Sequence, residues 1–359
     1  MSKKIKVGLV FGGRSAEHQV SLQSAQSILS AIDSDKFEVV KIGISAEGTW
    51  LLNDSADVFL NGDDPENIAL AETAKPVALV AGESNGALKP LTETTVNNST
   101  SLDVLFPILH GPYGEDGSIQ GLAKLANIAC VGSGILSSSV GMDKDFTKRI
   151  LIQAGIAVAD FMTLKSAYFT EDDVQRIEAT FNYPVFIKPA NMGSSIGVSC
   201  AHNREQLLDA IQSAFKYDKK LLVEQAIKGR ELECAVLGND HPRASVVGEI
   251  IASDGFYDYE SKYIDANAAK LSLPADISEQ LSERIQQTSL AVFKALECRG
   301  MARVDMFVTD DEQIIINEVN TLPGFTKISM YPNLWAASGL SYTDLISELI
   351  ELAIEDYRP

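Results

Sequence analysis

The sequence predicts an α/β protein of two or three domains, and three observations carry that prediction. A buried strand, a glycine turn and an amphipathic helix open the chain, as in a doubly wound sheet. Strands run into glycine-rich loops again at His110–Gly117 and Asn191–Gly197, and a polar hairpin follows late in the chain. The 359 residues are also enough for more than one sizeable core.

Ile5 to Phe11 reads as the first strand, followed by a helix with Val20, Ile28, Leu29 and Ile32 on its apolar stripe. The GxGxxG spacing of a dinucleotide fold is absent. Glu17 lies at the helix start and at the carboxyl end of the strand. It is either a carboxylate complementing the helix dipole or a group facing a ligand where such sheets bind one. Phe37 to Ile44 is a second strand, and roughly Asp54 to Asn98, rich in Asn, Asp, Ser, Thr and Gly, is expected to be loop. Ser101 to Leu109 is a third strand. It enters His110-Gly111-Pro112-Tyr113-Gly114-Glu115-Asp116-Gly117, where glycines and a proline commit the backbone to turns, and the loop, carrying His110, Glu115 and Asp116, reads as site lining rather than as part of a Ser-His-Asp triad. No GxSxG elbow accompanies it. A helix over 119–126 and a strand over 128–132 close the first domain.

Lys144 stands in the first turn of a helix containing Phe146, Ile150 and Leu151. Helix starts favour anions, so Lys144 is either a surface lysine or one that holds phosphate. Lys188 ends the apolar strand Tyr183–Pro189, where its charge is costly without an anion. Gly193-Ser194-Ser195-Ile196-Gly197 follows, either a plain hairpin turn or a loop wrapping phosphates with amides and hydroxyls. It lacks the Walker A pattern. Gln206 to Phe215 is a helix. The strand Leu221–Ile227, Gly229 and a further strand make a hinge between two lobes, across which a flat base could lie. Ser253 to Tyr263 carries four aromatics and is either a loop that closes over a site or a surface excursion. Helices over 277–296 and 343–354 complete the reading.

Between those two helices, Gly300 to Ser329 reads as a hairpin. With Thr309-Asp310-Asp311-Glu312 as its loop, Val308 pairs with Gln313, Asp305 with Ile316 and Arg303 with Glu318. Ile314, Ile316, Glu318 and Asn320 then share one face, which gathers Arg303, Asp305, Glu318 and Asn320. Three oxygen ligands beside a guanidinium suit magnesium held together with phosphate. The alternative is a solvated face with an incidental ion pair. Beyond it, Asn320-Thr321-Leu322-Pro323-Gly324 forces a turn.

Composition excludes several classes. A net charge of −19, from 49 acidic against 30 basic residues, argues against nucleic acid or anionic membrane as partner. The four cysteines have no CxxC spacing, which fits reduced thiols in a cytoplasmic protein. No apolar run approaches the ~18 residues of a membrane span.

The segments FGGRSAEHQVS, HGPYGEDGSIQG, FIKPANMGSSIGVS, YDYESKY and INEVNTLPGFT with ISMYP together resemble the ATP-grasp superfamily, and within it the D-alanine–D-alanine ligase family. The resemblance spans nearly the whole chain. It implies an ATP-grasp fold of α/β and α+β type in three domains. These are a Rossmann-like unit over 1–132, a central lobe over 133–228 and a C-terminal lobe over 229–359, with ATP between the two α+β lobes. It implies ligation of two D-alanine molecules through an acyl phosphate for peptidoglycan synthesis, with two magnesium ions that manganese can replace. A cytoplasmic homodimer is expected. Lys144 and Lys188 match phosphate-contacting lysines, and Gly193, Ser194, Ser195 and Gly197 match the flap. Glu224, Gln225, Ile227 and Glu231 match the adenine and ribose hinge, with Asn317 also on the nucleotide side; relatives with lysine in place of Gln225 put its side-chain contact in doubt. Asp305, Glu318 and Asn320 match metal ligands. Glu17, Ser194 and Tyr263 resemble a hydrogen-bonded set closing the loop, with Glu17 near the first substrate's ammonium. Arg303 and the Gly324 amide resemble oxyanion stabilisers. Lys262 and Ser329 resemble the receivers of the second carboxylate, and His110 lines the site. Ligases for D-lactate or D-serine, and a non-catalytic nucleotide-binding regulator, are the rival readings.

Overall fold

The computed structural model describes residues 3–53, 58–62, 64, 67–71, 75–81, 86–91, 99–252 and 269–357. The loop over 253–263, with Lys262 and Tyr263, lies outside them.

Four parallel strands start the first sheet, in the spatial order Ala129–Cys130, Val104–Ile108, Ile5–Gly12, Phe37–Ile44. Ile5–Gly12 and Val104–Ile108, buried along nearly their whole length, read as continuous apolar runs rather than alternating ones, whereas Phe37–Ile44 is interrupted by Glu38 and Lys41. Antiparallel strands Trp50–Leu52, Lys75–Val80, Ala87–Pro90 and Thr100–Ser101 extend the sheet, and Phe59–Leu60 pairs with Ala69–Leu70 beside it. This corrects the expectation of a loop over 54–98. Val77 and Leu88 are buried there, but the strands are short and separated by polar residues, so composition hid them.

The second sheet is antiparallel, in the order Phe161–Lys165, Lys220–Gln225, Val185–Pro189, Ser199–Ala201. Helices Glu171–Thr180 and Arg204–Ala214 pack on it. Leu164, Val174, Ile177, Ile187, Leu207, Ile211 and Val223 form a core drawn only from this lobe. Asn203 starts the second helix by accepting from the Gln206 amide.

Strand Arg230–Gly238 begins within a few residues of Gln225 but belongs to the third sheet. That sheet has the order Ala269–Ser272, Arg243–Ala252, Arg230–Gly238, Gly300–Val308, Ile314–Asn320. Leu232, Cys234, Val236, Ala302, Val304 and Met306 pack from one of its faces under helix Glu279–Ala295. On the other face, Ala235, Leu237 and Met301 join the core of the first sheet through Phe325, Tyr331, Leu334, Leu345 and Leu349. These last residues come from the segment after the hairpin and from helices Met330–Ala337 and Tyr342–Tyr357. The first and third sheets therefore share one core, while the second keeps its own. No helix among the described residues is long and apolar enough to cross a membrane.

Candidate active site

The hairpin gathers its four polar residues by a different register from the one the sequence suggests. Val308 pairs with Ile314 and Met306 with Ile316; then Asp305 pairs with Glu318 and Arg303 with Asn320. Asn317 is the extra residue, a β-bulge. The bulge inverts the alternation, so Ile316 faces the apolar core while Glu318 and Asn320 join Asp305 and Arg303 on the site face. A bulge leaves no periodic trace in sequence, so strict alternation misplaced Ile314 and Ile316.

Arg303 is held flat by two parallel hydrogen bonds to Asp305, Nε to Oδ1 and Nη2 to Oδ2, both 2.7 Å. Its Nε also stands 3.0 Å from Glu233 Oε2. Glu233 pairs with Asp305 across the adjacent strand and is nearly inaccessible.

One cleft is lined by Glu17, His110, Glu115, Lys144, Gly193, Ser194, Glu233, Arg303, Glu318, Asn320, Gly324 and Ser329. Glu17 is the N-cap residue of helix His18–Ala31, yet its side chain makes no cap hydrogen bond. It accepts instead from the Ser194 hydroxyl, 177 residues away, at the wall of the cleft. Ser194 and Ser195 both have left-handed backbones, φ 50° and 57°, an uncommon conformation for residues with side chains. Gly197 is left-handed too, and a Cβ there would meet Tyr217 at 2.8 Å and Pro189 at 2.9 Å. The loop is thus built as consecutive tight turns rather than a two-residue hairpin. Ser329 Oγ accepts from the Thr326 amide at 2.9 Å, and a Cβ on Gly324 would lie 2.8 Å from it. Glycine at 324 is what lets the backbone come this close. His110 is buried; burial lowers its pKa, against the pull of Glu17. Glu115 accepts from the Gly111 amide at 2.7 Å. Burial first, and Glu17 next, push it up to about 8.

On the nucleotide side, Asp143 caps helix Lys144–Gln153 and also binds Lys220, tying the helix start to the central lobe. Lys144 points inward: Nζ donates to Met192 O at 2.7 Å and lies 3.5 Å from Glu318 Oε2. Its surface reading is set aside. Lys188 Nζ lies 2.9 Å from Glu224 Oε2 and donates to Asn317 Oδ1 at 3.0 Å, so the bulge residue joins the two lobes. The side chains of two hinge residues are already engaged within the protein. The Glu224 side chain is buried between Lys188 and Lys148, and Gln225 bonds to the backbone of Asn182 and Pro184. Ile227 lies in the linker between the sheets, and Glu231 is the second residue of the next strand, Arg230–Gly238.

The described residues hold no cluster of three or more His, Cys, Asp or Glu side chains placed for a metal. What the hairpin offers is two facing carboxylates, Asp305 and Glu318, and the Asn320 carboxamide. That all-oxygen set fits a hard cation that completes its shell with phosphate oxygens and water, as magnesium does.

Two family models match the chain: "D-ala D-ala ligase N-terminus" over residues 6–133 and "D-ala D-ala ligase C-terminus" over residues 150–351. The chain is 53% identical over 358 residues to the D-alanine–D-alanine ligase of Shouchella clausii, covering 100% of this chain and 96% of that one. It is 50% identical to D-alanine–D-alanine ligase A of Escherichia coli K12, covering 98% and 96%. The chain belongs to the D-alanine–D-alanine ligase family. Among solved structures, the D-alanine–D-alanine ligase of Coxiella burnetii matches with a TM-score of 0.85 at 37% identity, covering 99% of this chain and 95% of that one. The VanG D-Ala:D-Ser ligase of Enterococcus faecalis matches with 0.86 at 37%, covering 98% and 100%. The fold is accordingly ATP-grasp.

Beside the residues that mark this family, the structure brings in Glu233 and Lys148, to which the sequence gave no role, and places Glu115, expected in a site-lining loop, in the cleft. Glu233 alternates with Glu231 on one strand face, and Lys148 follows Lys144 by one helical turn. Both spacings were visible, but without strand partners neither pointed to a site.

Proposed function

We infer that the protein joins two D-alanine molecules at the expense of ATP, yielding D-alanyl-D-alanine, ADP and phosphate for peptidoglycan precursor synthesis. It is an ATP-dependent ligase. The observation that carries the reading is the single cleft in which Glu17 and Ser194 meet Lys144, Arg303, Glu318, Asn320, Gly324 and Ser329.

In this reading Glu17 pairs with the ammonium of the first D-alanine. The substrate carboxylate attacks the γ-phosphorus of ATP, the bond to the β-phosphate oxygen breaks, and ADP leaves. Lys144 and Lys188 neutralise phosphate charge during the transfer. Asp305, Glu318 and Asn320 would hold magnesium, two ions with manganese as a substitute, and the metal when bound neutralises charge on the transferring phosphoryl group. The Gly193–Gly197 loop, tied to Glu17 through Ser194, keeps water from the acyl phosphate. Ser329, at the start of helix Met330–Ala337, and Lys262 receive the second carboxylate. The neutral amine of that second molecule attacks the acyl carbon. Arg303 and the Gly324 amide meet the oxyanion, and phosphate departs while the attacking nitrogen gives up one proton, which the departing phosphate can carry away, as the amide forms. Tyr263 completes the lock on the loop, and His110 walls the first subsite.

The reading includes a homodimer in the cytoplasm, and the domain limits at 132/133 and 228/229. Solution mass tests the dimer. The function itself is tested by phosphate release from ATP and magnesium with D-alanine, D-alanine plus D-serine, or D-alanine plus D-lactate, with products identified by mass spectrometry. Release with D-alanine alone, matched by dipeptide, is expected. A mixed product formed in preference would move the second subsite to another substrate, and no release would overturn the reading.

A further inference from the structure

Lys148 lies four residues beyond Lys144 on the same helix, hence on the same face. Its side chain is 1% exposed, and Nζ stands 3.1 Å from Glu224 Oε1. The Phe161 ring closes the space beside it, its centroid 5.8 Å from Nζ. The other oxygen of Glu224 belongs to Lys188 at 2.9 Å. One carboxylate thus lies between two ammonium groups, and only Lys188 also reaches a residue of the candidate site, Asn317.

Burying an ammonium costs several kcal/mol unless it is paired, and an apolar side chain of similar volume would fill the space without that cost. A lysine at 148 therefore needs a reason beyond packing. Electrostatics supplies one. With Glu224 facing Lys188 alone, the pair would be neutral. With Lys148 on the second oxygen, the group carries one net positive charge, and Lys188 is its end nearest the phosphates.

We propose that Lys148 is a positioning residue for nucleotide binding: by engaging one oxygen of Glu224, it leaves Lys188 with a cationic surplus for the ATP phosphates. The inference rests on the reading of Lys188 as a phosphate-binding group. The titration directions agree with it. Burial lowers the pKa of Lys148, partly offset by Glu224. Burial also works against the charge on Lys188, yet Glu224 outweighs it and the pKa is raised. Glu224 is itself held below its ordinary value, against burial, by Lys188 and then Lys148.

The test is steady-state KM for ATP, kcat and Tm on the full-length chain. Lys148→Met is expected to raise KM for ATP about tenfold, with kcat within about threefold; tenfold corresponds to about 1.4 kcal/mol. Lys148→Arg, which keeps the charge, stays within about threefold of the parent. Adding Glu224→Gln to Lys148→Met removes the anion that competes for Lys188, so KM falls back toward the parent value. A purely structural lysine predicts a lower Tm with KM unmoved, or no recovery in the double variant; either result overturns the proposal. Should Lys148→Met be insoluble, the double variant, which leaves Lys188 as the one charge of the group, decides: KM near the parent supports the proposal, and a tenfold rise sinks it. Lys188→Ala separates the two levels. If it leaves KM unchanged, the phosphate reading of Lys188 falls. If it raises KM while Lys148→Met does not, only the role of Lys148 falls.

Discussion

Two buried charge triads border the site, and they are built with opposite signs. In the central lobe the Glu224 carboxylate lies between the ammonium groups of Lys148 and Lys188. In the C-terminal sheet the Arg303 guanidinium lies between the carboxylates of Glu233 and Asp305. The first carries a surplus cation where phosphates are expected, and the second a surplus anion where a metal is expected. Lys144 and Glu318 repeat the pairing between the two, 3.5 Å apart. Isolated buried charges are too costly to keep, so each functional charge is held by a partner of opposite sign. A third member restores the surplus. The lobes differ mechanically as well. The C-terminal triad stands on a sheet that shares its core with the N-terminal unit, whereas Lys188 and Glu224 stand on strands of the second sheet, which has a core of its own, and Lys148 reaches them from a helix whose Leu151 packs in the core of the third sheet. Arg303, Glu233 and Asp305 are thereby fixed to the first sheet, while Lys188 and Glu224 stand on strands before the 226–229 linker.

The comparison breaks first at Asp305. Asp305→Asn keeps the shape but removes one of the two facing carboxylates. The expected loss in kcat is about a thousandfold at ordinary magnesium, partly recovered as magnesium is raised. An unaltered magnesium titration would remove Asp305 from the ligand set. A smaller effect, about tenfold, is expected for Glu233→Gln. Without Glu233 the guanidinium turns wholly to Asp305 and competes with the cation, so the magnesium concentration for half-activity rises while KM for ATP changes less. A change confined to KM for ATP would contradict the division between the triads. The smallest effect concerns Glu115, which carries its proton up to about pH 8 because burial and Glu17 disfavour its charge. Its folded-state pKa is raised, so its contribution to stability is complete below the unfolded carboxylate pKa and is lost as pH rises through about 8. Glu115→Gln should therefore flatten the fall in Tm between about pH 5 and pH 8. An equal slope in parent and variant would place the proton elsewhere.

Much of this was legible in the sequence, for identifiable reasons. The opening strand, turn and helix announce themselves because a strand buried on both faces is continuously apolar. Lys188 stood out as a charge ending such a strand, and the polar residues of the hairpin as a cluster among apolar neighbours. Registers and partners were not legible. The bulge at Asn317 reverses strand parity without any compositional mark, and only the three-dimensional neighbour of Arg303 reveals Glu233. The strands between 59 and 90 were lost because pairing rather than periodicity defines them. Gln225 was placed just before the linker, where the strand Lys220–Gln225 ends, but its bonds to Asn182 and Pro184 depend on a segment 43 and 41 residues away in the chain.

The most direct test of the division of labour is ATP affinity measured by calorimetry, beside turnover, for Lys188→Ala and Arg303→Ala. The account predicts that Lys188→Ala loses ATP affinity, whereas Arg303→Ala keeps it within a few-fold and loses turnover. An Arg303→Ala variant that binds ATP as weakly as Lys188→Ala, or that turns over at a near-normal rate, would contradict it.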